Sequence, residues 1–360
     1  MENIAITEDM LNRSVLNYGN PFRLLKLFEK AAKGEKITFV VLGGSITQGS
    51  NAGSEKCYGA RLAGWLKDSF ADTEIKYVNA GIGATGSLIG VHRLNRDVLC
   101  HNPDFVIVEY SVNDVNSEQT VETYDNLLYK ILNHKTKPAL LCIGMVSKVG
   151  GHAADSHLPV SKHYDIPFIS YQNAVWPEIE KGNLTWDILS DDDVHPIEVG
   201  HKIVADLVIN YLSGLKSKNI NNFTDNVCER PLVSTEYING RIYQIEDITA
   251  DSMGCFYRDK VNLNTIPFGW TAKENGAPLE IEFKDCKQVF VMLKRFKEGG
   301  KAIISGPDSS DCIETKFDAH FTYYSSHLIC KTETPTNIRI SITPKLENDE
   351  MLSIAGFLVS

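Results

Sequence analysis

The sequence has no basic surplus: Lys and Arg number 36 against 46 Asp and Glu, a formal net charge of −10. Phosphate backbones repel such a chain and no basic run offsets the imbalance, so nucleic acid is excluded as a partner. There is no run of about 18 apolar residues, the minimum for a membrane helix, so no membrane partner is expected. The segment from Met1 to Met10 carries acids where a secretory leader needs positive charge and an apolar stretch. A cytoplasmic location is expected, and secretion stays open for a chain whose leader has been removed. Metal-ligand spacing is missing too. The eight cysteines (Cys57, Cys100, Cys142, Cys228, Cys255, Cys286, Cys312, Cys330) stand singly, with no C-x-x-C pair. Neither a metal nor another cofactor is expected. Five of the eight follow residue 225, where a disulfide would form only in an exported protein.

What is present divides into two patterns. Short apolar runs at 37–42, 75–79, 105–110, 139–145 and 166–170 lack polar alternation, the mark of strands buried on both faces. Between them, 58–70, 87–99, 121–132 and 199–215 carry apolar residues at three- and four-residue spacing, the helical period. Asn20 and Pro21 ahead of 22–32 predict a capped leading helix. These elements predict an α/β domain over 1–220, a three-layer α/β/α sandwich around a parallel five-stranded sheet. The helical period then disappears. β-prone segments at 279–283, 288–293, 301–304, 338–343 and 352–359, separated by turn-formers such as Gly299-Gly300 and Gly306-Pro307-Asp308, predict an all-β sandwich, jelly-roll-like, over 221–360. The polar stretch 216–225 is the expected linker.

In a doubly wound sheet, ligands bind outside the carboxyl ends of the strands. The first strand runs into Gly43-Gly44-Ser45-Ile46-Thr47, the second into a glycine turn from Asn79 to Gly86, and the third into Ser111-Val112-Asn113-Asp114. Asp191-Asp192-Asp193-Val194-His195-Pro196 is expected to open the last helix, with Pro196 at its start. Two nucleotide motifs are only partly matched. Gly44 to Gly49 has P-loop glycine spacing but is followed by Ser50-Asn51 rather than Lys and Ser/Thr. Gly81, Gly83 and Gly86 fit the dinucleotide fingerprint with Glu109 as the ribose acid, but a full strand–helix unit precedes them.

The remaining constellation makes chemical sense as a serine hydrolase. A serine hydroxyl attacks only when a base takes its proton. His195 supplies that base, and Asp192 fixes its tautomer and stabilises the imidazolium. The backbone N–H of Ser45, one from the glycine turn and the Asn113 side-chain amide are candidate donors to the oxyanion.

The Gly43–Thr47 block, the Asn79–Gly86 turn, Val112-Asn113-Asp114 and Asp192-x-x-His195-Pro196 resemble, in order and spacing, the four signature blocks of SGNH (GDSL-type) hydrolases. The resemblance covers roughly 37–215. It implies a flavodoxin-like fold and hydrolysis of esters, often O-acetyl groups on carbohydrates. By the same resemblance Ser45 is the nucleophile, Asp192 and His195 complete the triad, and Asn113 with Gly83, or Ala84 one place on, forms the oxyanion hole with Ser45. The first block reads Gly-Gly-Ser where the family name has Gly-Asp-Ser, and Ser111 stands where glycine is usual; neither change removes a catalytic group.

Plainer roles compete for several residues. Ser45 would also cap a helix, Asn113 end a strand and Asp114 bond loop backbone. His201 packs against the sheet, and His92 and Arg93 are expected at the surface. Tyr58, Glu109 and above all Trp186 are candidates for pocket lining. The aromatics after residue 255 serve core packing before any sugar platform. The expected substrate is a small-molecule or oligosaccharide ester, most naturally an acetylated sugar. The alternatives are a lipid-type esterase or thioesterase with the same triad, and an inactive carbohydrate-binding or scaffold protein. Nothing ranks the surfaces through which the chain would oligomerise.

Overall fold

The computed structural model describes residues 4–225, 228–263, 265–319 and 321–360. By its internal contacts the chain divides into two compact units, Met1–Gly90 with Leu94–Thr235, and Val91–Arg93 with Glu236–Ser360.

The first unit runs α1 (Glu8–Ser14), β1 (Val15–Asn17), α2 (Phe22–Ala32), β2 (Ile37–Gly43), α3 (Ser45–Gln48), α4 (Tyr58–Ser69), β3 (Ile75–Gly81), α5 (Ser87–Asp97), β4 (Phe105–Glu109), α6 (Glu118–Leu132), β5 (Ala139–Gly144), α7 (Ala154–His163), β6 (Phe168–Ser170), α8 (Tyr171–Glu180), α9 (Trp186–Leu189) and α10 (Glu198–Leu215). The sheet order is β1-β6-β5-β4-β2-β3. β2 to β6 are parallel, the five strands that the apolar runs predict. The sixth strand, β1, is antiparallel to β6 and covers its edge. Three residues are too few to show a period, which is why Val15–Asn17 is silent in the sequence.

Every residue of β2, β4 and β5 is buried. Their apolar side chains, including Phe39, Val41, Phe105, Ile107 and Leu141, join those of the helices in one core. Each such side chain contributes about 1.5–3 kcal/mol on burial. α2 starts where expected: Asn20 Oδ1 accepts the Phe22 N–H at 2.9 Å, and Leu24, Leu25, Leu27 and Phe28 face inward. Beyond residue 227 the chain remains strapped to α6, because buried Asp125 accepts the N–H groups of Leu232 and Val233 at 3.0 and 2.9 Å. The connection after β2 leads to one side of the sheet and the connection after β3 to the other. The crevice at the carboxyl ends of β2 and β4 is therefore the topological switch point.

The second unit contains β7 (Arg241–Tyr243), β8 (Tyr257–Leu263), β9 (Ile266–Ala272), β10 (Leu279–Arg295), β11 (Lys301–Ser305), β12 (Ser310–Glu314), β13 (Tyr323–Lys345) and β14 (Leu352–Val359). They pair antiparallel in the order β12-β11-β13-β10-β14-β9-β8, with β7 on β14. This is the all-β domain that the sequence pattern predicts. Its strands are longer than the apolar segments imply: 279–283 and 288–293 are two ends of β10. Asp285, at φ 50°, marks an irregularity and the register shifts on both sides of Cys286. Such bulges bend a strand without ending it.

Phe256, Trp270 and Tyr324 are buried in this unit. Phe317, Phe321 and Tyr323 pack on one another. All eight cysteines are free thiols. Among the described residues no helix is long and apolar enough to cross a membrane.

Candidate active site

Ser45 opens α3 directly behind β2, on a passage with little room for side chains before it. A Cβ on Gly43 would stand 2.1 Å from Thr47 Oγ1, and one on Gly44 2.0 Å from Asn113 Oδ1. Ser45 Oγ lies 2.8 Å from His195 Nε2, and His195 Nδ1 lies 2.8 Å from Asp192 Oδ2. The structure thus brings together in hydrogen-bond series the three residues that the sequence singled out. Partial burial pushes the Asp192 carboxyl upward. The His195 and Val194 N–H groups it accepts at 2.6 and 2.7 Å, with the imidazole, outweigh that and hold it at about 2.

The Asp192–His195 loop is pinned from several sides. Trp186 Nε1–H donates to the Asp192 carbonyl at 2.7 Å, and the Lys148 N–H donates to the Asp193 carbonyl at 2.7 Å. Ser190 Oγ lies 2.8 Å from the Asp192 carbonyl and 2.6 Å from that of His195. Pro196 pairs with Ser190 in an isolated bridge rather than opening the last helix, which begins at Glu198.

On the other side of Ser45, Asn79 Oδ1 accepts the Gly81 N–H at 2.9 Å and its amide donates to the Thr47 carbonyl at 2.8 Å. This ties the glycine turn to α3. The Gly83 N–H donates to Gln48 Oε1 at 2.8 Å, and a Cβ on Gly83 would lie 3.8 Å from Ser45 Cβ. Ala84 is exposed, in the left-handed region at φ 54°.

Asn113 is half-buried, its Oδ1 turned to Gly44, so its amide nitrogen points the other way. Asp114 beside it has the structural part expected. It accepts the Ser87 N–H at 2.8 Å and pairs at 2.9 Å with His157 Nε2. The His157 ring stacks on Tyr124 at 3.8 Å. Gly44→Ala is expected to lower kcat about tenfold with a melt close to that of the wild type, because the new methyl group displaces the end of the Asn113 side chain and only crowds the Thr85 carbonyl oxygen, 3.3 Å away. Unaltered turnover would show that this amide has no part in the reaction.

The other candidates fall elsewhere. Trp186 holds the loop backbone rather than lining a pocket. Glu109 and Tyr58 are fully buried, and Tyr58 Oη lies 2.7 Å from Thr47 Oγ1. His201 Nδ1 accepts the Tyr58 N–H at 3.2 Å, and burial lowers its imidazole to about 4. It is a neutral structural histidine. His92 and Arg93 are buried, not at the surface. The sequence reading missed Gln48, Ser190 and Asn51. Only Asn51 left a trace, as an asparagine in a glycine-rich loop, where left-handed backbone is common. Among the described residues no group of three or more His, Cys, Asp and Glu could hold a metal ion.

Residues 41–203 match the model of the GDSL-like Lipase/Acylhydrolase family. The first unit therefore carries a GDSL-like lipase/acylhydrolase domain, an SGNH-type esterase domain, followed by a β domain. Over nearly its whole length the chain is similar to a two-domain esterase (CEX) active on acetylated mannans. The crystal structure of that enzyme with mannopentaose gives a TM-score of 0.89 at 28% identity, covering 97% of this chain and 98% of that one. A further crystal structure of a two-domain esterase (CEX) active on acetylated mannans gives 0.90 at 27%. Thioesterase 1/protease 1/lysophospholipase L1 of Escherichia coli K12 is 24% identical over 216 residues, 56% of this chain and 98% of that protein.

Proposed function

We propose that this protein is a carbohydrate O-acetylesterase working by two-step acyl transfer. Ser45 Oγ attacks the ester carbonyl as His195 Nε2 takes its proton. Asp192, ionised down to about pH 2, keeps the proton on Nδ1 and offsets the imidazolium charge. The oxyanion is received by the Ser45 N–H, the Asn113 amide and the turn at Gly83 and Ala84. At Gly83 it replaces the Gln48 amide oxygen, a neutral acceptor exchanged for a charged one. The imidazolium then protonates the leaving sugar oxygen, and a water activated by the same His195 releases acetate.

The observation that carries the substrate class is the likeness across 97% of the chain, hydrolase and β domain together, to an esterase active on acetylated mannans. The charge around the base supports it. Asp191 and Asp193 flank Asp192 and are exposed, as is Asp187, and among the described residues the one cation paired with them is Lys148, 3.5 Å from Asp187. A neutral sugar ester approaches such a rim freely, whereas phosphate-bearing acyl carriers and lysophospholipids are repelled. The relative in Escherichia coli favours a thioesterase as the second reading. Acetate release from acetylated manno-oligosaccharides, compared with cleavage of long-chain acyl thioesters, separates the two. The expected kcat/KM ratio is about a hundredfold or more in favour of the acetylated sugar, and the reverse order would transfer the assignment to the thioesterase.

A further inference from the structure

We infer that Asn51 is a positioning residue, a brace that sets the acid–base loop against the nucleophile; the inference rests on the serine-esterase reading above. Ser45 and Asn51 belong to one short segment, α3 and the loop behind it. Asp192 and His195 come from the far end of the unit, so the 2.8 Å contact between Ser45 Oγ and His195 Nε2 depends on what joins the two segments.

Asn51 Nδ2 donates to Asp192 Oδ2 at 3.0 Å and reaches the His195 carbonyl at 3.3 Å. The amide has two hydrogens, enough for both. Oδ2 is also the oxygen that faces His195 Nδ1, so Asn51 acts on the atom that steers the imidazole. The backbone at Asn51 is left-handed, φ 65°, between Gly49 at 100° and Gly53 at 83°. Asparagine is among the few side chains that accept this conformation readily.

Other links clamp the same segment to α10 without touching the carboxylate. Lys56 and Arg61 hold Glu198 at 2.6 and 3.0 Å, and the Tyr58 N–H meets His201 Nδ1. The charged and titratable groups around the imidazole are therefore Asp191, Asp192 and Asp193 on its own loop, Glu198 and His201 on α10, and Lys56 and Arg61 across from them. Asn51 adds a neutral donor to this set. Losing it leaves Oδ2 more negative, which strengthens the base, and lets the loop drift from Ser45.

Asn51→Gly deletes the side chain where the backbone suits glycine, and Asn51→Asp keeps its size while replacing the donor with a carboxylate. Steady-state kinetics on an acetylated manno-oligosaccharide would be read with pH profiles of kcat/KM, fluorophosphonate labelling of Ser45 and thermal melts. Asn51→Gly is expected to lower kcat about tenfold with little change in KM. Labelling should slow in parallel and the melt stay near that of the wild type. The acid limb of the profile should move to higher pH in Asn51→Gly and further in Asn51→Asp. Wild-type kcat in Asn51→Gly would overturn the inference, and so would a lower kcat with an unmoved acid limb, which would show that the loss does not act through the Asp192 carboxylate. A wild-type protein inert to both ester and probe would instead overturn the esterase reading beneath it.

Discussion

Ser45→Ala is expected to lower hydrolysis of p-nitrophenyl acetate by about a thousandfold or more, with a melting temperature close to that of the wild type. Ser45 is only 7% exposed, yet its hydroxyl faces the imidazole 2.8 Å away and does not cap α3, which has no side-chain cap. Removing one oxygen there leaves the fold its packing and its backbone bonds. The reaction loses its nucleophile and keeps only what binding and the oxyanion donors provide. Measuring variant and wild type in parallel matters because surface lysines and histidines also react slowly with this activated ester. A fluorophosphonate should label the wild type and not the variant. Equal turnover in the two proteins would remove Ser45 from the mechanism and leave a carbohydrate-binding protein on a hydrolase fold.

The parallel sheet was legible because burial on both faces writes itself as unbroken apolar runs. β2, β4 and β5 are buried at every position, because helices cover both faces of a parallel sheet. The hydrogen-bonded series of Ser45, His195 and Asp192 was legible for a different reason. Ser45 sits directly behind a strand at the switch point, Asp192 and His195 lie three residues apart in the loop before α10, and their residue types have few other uses in that order. What escaped is what depends on contact at a distance. Asn51 meets Asp192 across 141 positions, and no local period or spacing reports such a pair. β1 is three residues long, and its pairing with β6 is a tertiary event. In the second unit the sequence shows two apolar segments where the structure has the single strand β10, because a polar bulge and a turn look alike in composition. The place of Trp186 shortly before the His195 loop suggests pocket lining, but it contributes through its indole N–H.

Glu109→Gln is expected to flatten the pH dependence of stability. Glu109 ends β4 with its side chain fully buried. Its Oε1 accepts the Ser111 N–H at 3.0 Å and lies 3.3 Å from the Ser111 hydroxyl, while Oε2 finds no hydrogen-bond partner among the described residues. Burial pushes the carboxyl up to about 7. The Ser111 groups and the nearby Thr47 hydroxyl resist that shift, and the charge of Asp114 adds to it. Because the folded value lies above the unfolded one, the native state holds this proton more tightly. Its contribution to stability is complete below about pH 4.5 and is lost as the pH rises to about 7, a total of about 3 kcal/mol. Glutamine cannot ionise and carries no such loss. In urea titrations at pH 5 and pH 8 the variant should therefore gain on the wild type as the pH rises, by about 2–3 kcal/mol across that interval. All other titrating groups cancel in the comparison. Parallel stability curves for the two proteins would mean that Glu109 ionises in the fold as freely as in the unfolded chain. The buried carboxyl would then have to find, for Oε2, a partner such as ordered water.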